Sequence, residues 1–203
     1  RQRQMCIRDR NKGLALDVDV LSDKGKSLKN IKGELVCKNP FPSMPLKFWN
    51  DKNDLKFRNA YFNRFKNIWH HGDYAEIKNN GGYIIHGRSD TTLNPGGVRL
   101  GTAEIYSEVE KFKEIKESIV VGQSWDNDVR IVLFIVMSKN YSLTAELINK
   151  IKLQIKKNAS PRHVPSKIIV VKDIPRTKSG KIVELAVKSK IEGSQIKNIE
   201  ALA

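Results

Sequence analysis

Apolar and polar positions follow two different periods along this chain, and each period marks out a different set of elements. Residues 33–37 read Gly-Glu-Leu-Val-Cys, a short strand, and a proline-rich loop follows over residues 39–45. Pro40, Pro42 and Pro45 bar a helix there, because each removes a backbone donor and fixes φ. Residues 51–65 place Leu55, Ala60, Tyr61, Phe62 and Phe65 at helical spacing, which predicts a helix with one apolar face. Residues 74–77 and 83–86 then flank Asn79-Asn80-Gly81-Gly82, the turn chemistry of a β-hairpin.

A second unit begins near Gly87. Residues 91–97 are a turn-rich link centred on Asn94-Pro95-Gly96-Gly97, and Thr102 is expected to cap a helix reaching Phe112 with Ile105 and Val109 inward. Residues 118–121 and 129–137 read as strands, the second so apolar that both of its faces should be buried. Residues 142–157 carry Leu143, Leu147, Ile151 and Ile155 on one helical stripe; residues 167–171 are a further strand and residues 181–190 a further helix. Strands and helices mix without the Gly-rich first turn of a dinucleotide fold, so the predicted class is α+β. There is no repeat of fixed period and no low-complexity tract. A β-rich piece joined by a Gly-rich link to a compact α+β domain of about 110 residues, an ordinary domain size, describes the pattern.

Composition narrows the partners. The chain has 203 residues and a net charge of +15, with 37 Lys and Arg against 22 Asp and Glu. Such a charge attracts phosphate backbones, yet it is mostly Lys scattered among acidic residues and not gathered into a stripe, so a dedicated nucleic-acid surface is disfavoured. The longest apolar run is residues 131–137, too short for a membrane-spanning helix. Cys6 and Cys37 make neither a disulfide framework nor a zinc motif, and the start lacks a secretory h-region; a cytoplasmic protein is expected. Arg1, Arg3, Arg8 and Arg10 crowd the first ten residues while the remainder holds only seven Arg. Residues 1–10 are therefore read as a segment foreign to the rest, or else as a basic arm, and carry no weight for the fold.

Three clusters carry candidate chemistry. Trp69-His70-His71-Gly72-Asp73 places an acidic side chain beside a glycine, able to accept two hydrogen bonds from a ribose diol, although an Asp after Gly is more commonly just a turn former. Arg88 and Arg99 bracket a glycine-rich turn and are suited to phosphate oxygens, or equally to salt bridges in an interdomain loop. Lys181 follows Ser179-Gly180 and is placed to project an ammonium toward a reacting phosphate or carboxylate. The spacing is not that of a P-loop, and a lone Lys in a basic chain is ordinarily solvated surface.

Together the clusters resemble the adenylate-forming acyl-CoA synthetase superfamily. Gly33-Glu34-Leu35-Val36, Pro40-Phe41-Pro42-Ser43-Met44-Pro45-Leu46, Phe48-Trp49-Asn50-Asp51, the Trp69–Asp73 cluster and the unbroken run of residues 84–106 are most similar to the branch that activates acetoacetate. The resemblance spans residues 33–184 and implies the C-terminal third of such an enzyme. Residues 11–89 would be the end of the large adenylation domain, and residues 90–203 the small mobile domain. The rest of the large domain, with its phosphate loop and acyl pocket, would be supplied by the same polypeptide.

The resemblance implies ATP, CoA and Mg2+, with acetoacetate as the acid. By position, Asp73 matches the residue that holds the ATP ribose, Arg88 an arginine reaching the nucleotide, and Asp90 the hinge. Arg99 matches an arginine on the phosphates, Gly97 a glycine whose backbone lines the pantetheine tunnel, and Lys181 the lysine needed for adenylation. Lys156 falls where acetate enzymes carry an arginine near CoA. His70 and His71 depart from the Thr found in many members and read as a trait of the branch, with no metal ligand implied. The competing readings are an acetyl- or propionyl-CoA synthetase and a basic nucleic-acid module. The module would need aromatics interleaved with basic residues on a sheet face, but residues 118–121 and 129–137 are aliphatic apart from Phe134.

Overall fold

A computed structural model describes residues 10–196 and Leu202. The chain divides after Asp90 into two compact units. Of the Arg-rich start, Arg10 is described, its carbonyl accepting from the Tyr83 N–H at 2.7 Å; the rest, Cys6 included, lies outside the described residues.

The first unit is a four-stranded antiparallel sheet in the order β1 (Val18–Leu21), β2 (Gly33–Cys37), β3 (Trp69–Ile77), β4 (Tyr83–Arg88). β1 escapes the hydropathy pattern because it is four residues long and carries Asp19, whose buried carboxylate is held by Ser27 Oγ at 2.9 Å and Lys38 Nζ at 3.3 Å. The predicted hairpin forms, with β3 and β4 paired from Ile77↔Tyr83 to Asp73↔Arg88. The helix expected over residues 51–65 is shorter. Its regular part, α1, covers Leu55–Tyr61, because Asn53 and Asp54 sit at φ 58° and 54° in the left-handed region. Asp51 substitutes for a local cap, its carboxylate accepting from the Lys56 and Phe57 N–H groups at 2.9 and 2.8 Å. Phe57, not the 58% exposed Leu55, is the buried residue. It joins Trp69, Tyr61, Phe48 and Phe41 in an aromatic cluster in which Tyr61 stacks on Trp69 at 3.7 Å. This cluster anchors the proline loop and α1 to the start of β3.

The second unit contains α2 (Thr102–Val109), β5 (Ile115–Trp125), β6 (Asp128–Met137), α3 (Ala145–Asn158), β7 (Lys167–Val170) and α4 (Glu184–Ile191). β5 and β6 are antiparallel, and β7 joins β6 in parallel through α3. β6 is the middle strand and is buried on both faces as its composition predicts: Ile131, Leu133 and Ile135 pack with Ile105, Val109, Leu147, Ile151 and Ile155, while Val136 packs with Ile119 and Ile174. Thr144 caps α3 by accepting from the Leu147 N–H at 3.2 Å.

Three sequence expectations change here. Thr102 is the first helical residue and is buried, so Gly101 occupies the cap position of α2, and the helix ends at Val109 before Phe112. The strand expected over residues 118–121 is part of an eleven-residue strand, closed onto β6 by Asp126 and Asn127 at φ 52° and 58°, which is hairpin-turn geometry. The last helix begins at Glu184, because Arg176 and Thr177 pair back onto Lys181 and Ile182. Among the described residues no helix is long and apolar enough to cross a membrane.

Candidate functional site

In the first unit, Asp73 is not in the turn that its Gly neighbour suggests. It stands inside β3 and faces Arg88 across the ladder. Gly72 at φ +77° lets the backbone pass beneath the Arg88 guanidinium, which donates to the His71 carbonyl at 3.0 Å and reaches Asp73 Oδ1 and Asp90 Oδ2, each at 3.4 Å. Partial burial works against the Arg88 charge; Asp90 and Asp73 outweigh it and hold its pKa above the ordinary arginine value. Burial pushes the His71 pKa down, so that ring stays neutral beside the arginine. Asn59, Arg64, His70, His71, Gly72 and Arg88 line a cleft of about 510 Å³, with Asp90 at its rim. A carboxylate and a guanidinium on adjacent strands, the guanidinium seated against Gly72, form a polar cradle suited to a diol and an anionic group.

Beneath this cleft lies Glu34, fully buried in β2. Its carboxylate meets Arg64 Nη1 at 3.0 Å and His70 Nε2 at 2.8 Å, and accepts from Ser89 Oγ. The sequence by itself assigns neither Glu34 nor His70 a role. The signal was a charged side chain in an otherwise apolar strand, which requires a buried partner.

In the second unit, Leu93 and Leu100 exchange both backbone hydrogen bonds, at 2.9 and 2.7 Å, and bury their side chains in the core. The intervening loop is thereby closed at its base. Gly97 is exposed on it at φ +72°, and Arg99 donates from Nε to Thr92 Oγ1 at 3.0 Å. Arg88 and Arg99, paired by the sequence around one turn, therefore belong to different units. Asn94, Gly97, Trp125, Asp126, Asn127 and Asp128 border a shallow cavity of about 650 Å³. Trp125 and Arg130, unremarked in the sequence, stack there with the guanidinium carbon 3.5 Å from the ring centre.

Lys181 is exposed at the exit of a tight hairpin and not on a slack Ser-Gly loop. Thr177 N–H donates to the Lys181 carbonyl at 2.8 Å, and Lys181 N–H donates to Thr177 Oγ1 at 3.1 Å. Arg176 clamps the base of the hairpin, donating to the Gly180 carbonyl at 2.9 Å and to Glu117 Oε2 at 2.7 Å. The hairpin is fixed while the ammonium reaches solvent. Lys156 is exposed in the last turn of α3, where a cation also favours the helix dipole. Asp73, Arg88 and Asp90 are thus gathered in one unit, and Gly97, Arg99, Lys156 and Lys181 are carried by the other.

Residues 104–181 match the AMP-binding enzyme C-terminal domain. The chain is 59% identical over 191 residues to an acetoacetyl-coenzyme A synthetase of Rhizobium meliloti (strain 1021), covering 94% of this chain and 29% of that protein. It is 45% identical over 192 residues to the acetoacetyl-CoA synthetase of Gallus gallus, covering 94% and 28%. The solved acetoacetyl-CoA synthetase from Streptomyces lividans superposes with a TM-score of 0.90 at 38% identity, covering 97% of this chain and 30% of that one. The chain spans under a third of the length of these relatives. Residues 104–181 thus carry an AMP-binding enzyme C-terminal domain, and along nearly its whole length this chain is homologous to part of the acetoacetyl-CoA synthetases.

Proposed function

We propose that this chain serves, within a longer polypeptide, in the two-step activation of acetoacetate. An acetoacetate oxygen attacks the α-phosphorus of ATP and pyrophosphate leaves; the CoA thiol then attacks the acyl-adenylate carbonyl, AMP leaves, and acetoacetyl-CoA forms. The observation that carries this reading is the Asp73 and Arg88 cradle at Gly72. The choice of acid comes from the names of the similar proteins, since the acyl pocket would lie in the part of the polypeptide outside this chain.

Asp73 accepts hydrogen bonds from the ribose hydroxyls, and Arg88 holds its carboxylate in place while reaching the nucleotide. Lys181 neutralises the charge that builds as the carboxylate attacks, a task suited to an ammonium carried on a fixed hairpin. Arg99 takes phosphate oxygens, Gly97 leaves room for the pantetheine arm, and Lys156 attracts the CoA phosphates. Asp90 is the pivot between the end of the adenylation domain (residues 11–89) and the mobile domain (residues 90–203), exchanging the first step for the second. Mg2+ belongs to the reading as a companion of ATP. Among the described residues no group of three or more His, Cys, Asp or Glu side chains is placed to hold a metal, so no step is assigned to it here. The reading is of a cytoplasmic enzyme, and residues 1–203 alone are expected to be inactive.

Pyrophosphate exchange into ATP by the full-length polypeptide, with acetoacetate, acetate and propionate compared, tests this. Exchange driven chiefly by acetoacetate is expected. Exchange driven by another acid overturns the substrate, and no exchange with any acid overturns the ligase reading.

A further inference from the structure

We infer that Asp128 is a positioning residue for CoA, acting as a tether that holds the Gly96-Gly97 loop open; the inference rests on Gly97 serving the thioester step. Asp128 opens β6, at the tip of the β5–β6 hairpin. Its two carboxylate oxygens lie 2.8 and 3.0 Å from the Gly96 N–H, which donates to both. The backbone N–H of Val129 and that of Gly96 hold the Asp128 carboxyl below the ordinary aspartate value, which favours its charged form.

The tether matters because of what it holds. Gly96 and Gly97 both take left-handed backbone angles, at φ 58° and 72°. Two adjacent glycines have more freedom to lose than any other pair. At the base the loop is closed by the paired Leu93 and Leu100, but its crest carries just the turn bonds from Gly97 N–H to the Asn94 carbonyl at 3.3 Å and from Val98 N–H to the Pro95 carbonyl at 3.2 Å. Both are long. The short, charge-assisted bond from a different element therefore restricts the crest. Arg162 approaches the same glycine, with Nη1 3.6 Å from where a Gly96 Cβ would stand, so a cationic side chain also neighbours the crest. Space beside Gly97 is clear, with nothing within 4 Å of a Cβ placed there. A chain sliding past Gly97 thus meets a backbone already in position, and ordering it does not count against binding.

Asp128→Ala in the full-length enzyme is expected to raise KM for CoA about tenfold with kcat little changed, the loss of one charged hydrogen bond to an otherwise mobile loop. Acetoacetate-driven pyrophosphate exchange should stay within about twofold, since it precedes CoA. Asp128→Asn, whose amide oxygen can still accept the Gly96 N–H, should recover most of the loss. An unchanged KM for CoA in Asp128→Ala, or equal losses in both half-reactions, overturns the inference. Amide hydrogen exchange at Gly96 tests the tether without reference to activity: slower exchange in the wild type than in Asp128→Ala supports it, and equal exchange overturns it. Absence of exchange into ATP by the wild type itself would instead overturn the ligase reading, leaving the tether to be judged by the amide.

Discussion

A Cβ on Gly72 would stand 3.2 Å from Cζ of Arg88 and 2.8 Å from its Nη2, the latter closer than such atoms approach. The guanidinium that braces Asp73 therefore occupies the space a side chain at residue 72 would need. At φ +77° an L residue is also strained, by about 1–2 kcal/mol. Gly72→Ala should lower unfolding stability by about that amount and push Arg88 off Asp73. Urea unfolding together with KM for ATP in the full-length enzyme checks both, and a raised KM is the result expected.

Glu34 ties three elements together beneath the same cleft, receiving Arg64, His70 and Ser89 on one buried carboxylate. Glu34→Gln keeps the shape and removes the charge. The loss should be about 1.5–3 kcal/mol, the range for a charged hydrogen bond. It stays below the full penalty for breaking a buried pair because Arg64 is 36% exposed and can turn to water. Denaturant unfolding measures it.

Lys181 makes backbone bonds that shape its hairpin, while its side chain is exposed. Lys181→Ala should therefore leave the melting temperature unchanged. Acetoacetate-driven pyrophosphate exchange should fall about 10²–10³-fold, as when one group that stabilises transition-state charge is removed. Thioester formation from preformed acyl-adenylate should be largely spared. Equal losses in the two steps would contradict separate roles for Lys181 and the Gly97 loop.

Glu108 supplies a pH dependence in the second unit. Burial disfavours its charge, but Lys111 at 2.6 Å, Asn158 at 2.8 Å and Gln154 at 3.0 Å outweigh that and hold its pKa below the ordinary glutamate value. A carboxyl depressed in the folded state stabilises it fully above the unfolded value. That contribution is lost as pH falls through the folded one. Thermal unfolding followed from pH 7 downward should show stability declining below about pH 4.5, and Glu108→Gln should flatten the decline.

How much of this was legible depended on the range over which each signal acts. Leu147, Ile151 and Ile155 announce α3 because one helical turn after another repeats the same local demand, and all three are buried. The apolar run of residues 131–137 announces a doubly covered strand for the same reason. α1 is shorter than its period suggests because Asn53 and Asp54, left-handed just before Leu55, bar an earlier start, and left-handed residues leave no mark on hydropathy. β1 was missed since four residues with an aspartate among them become a strand through pairing with β2 and burial of Asp19.

Residue types at fixed spacing were enough to determine the α+β class, the hairpin at Asn79-Asn80-Gly81-Gly82 and the apolar stripe of α3. These are properties of neighbours in sequence, where dihedral limits and side-chain period act directly. Tertiary structure alone decided that Arg88 faces Asp73 across a ladder, that Glu34 gathers Arg64, His70 and Ser89, and that Asp128 reaches Gly96 from another hairpin. In each case the partners are far apart in sequence, from 15 residues for Arg88 and Asp73 to 55 for Ser89 and Glu34. No local preference can select such a partner; the closing of the sheets does.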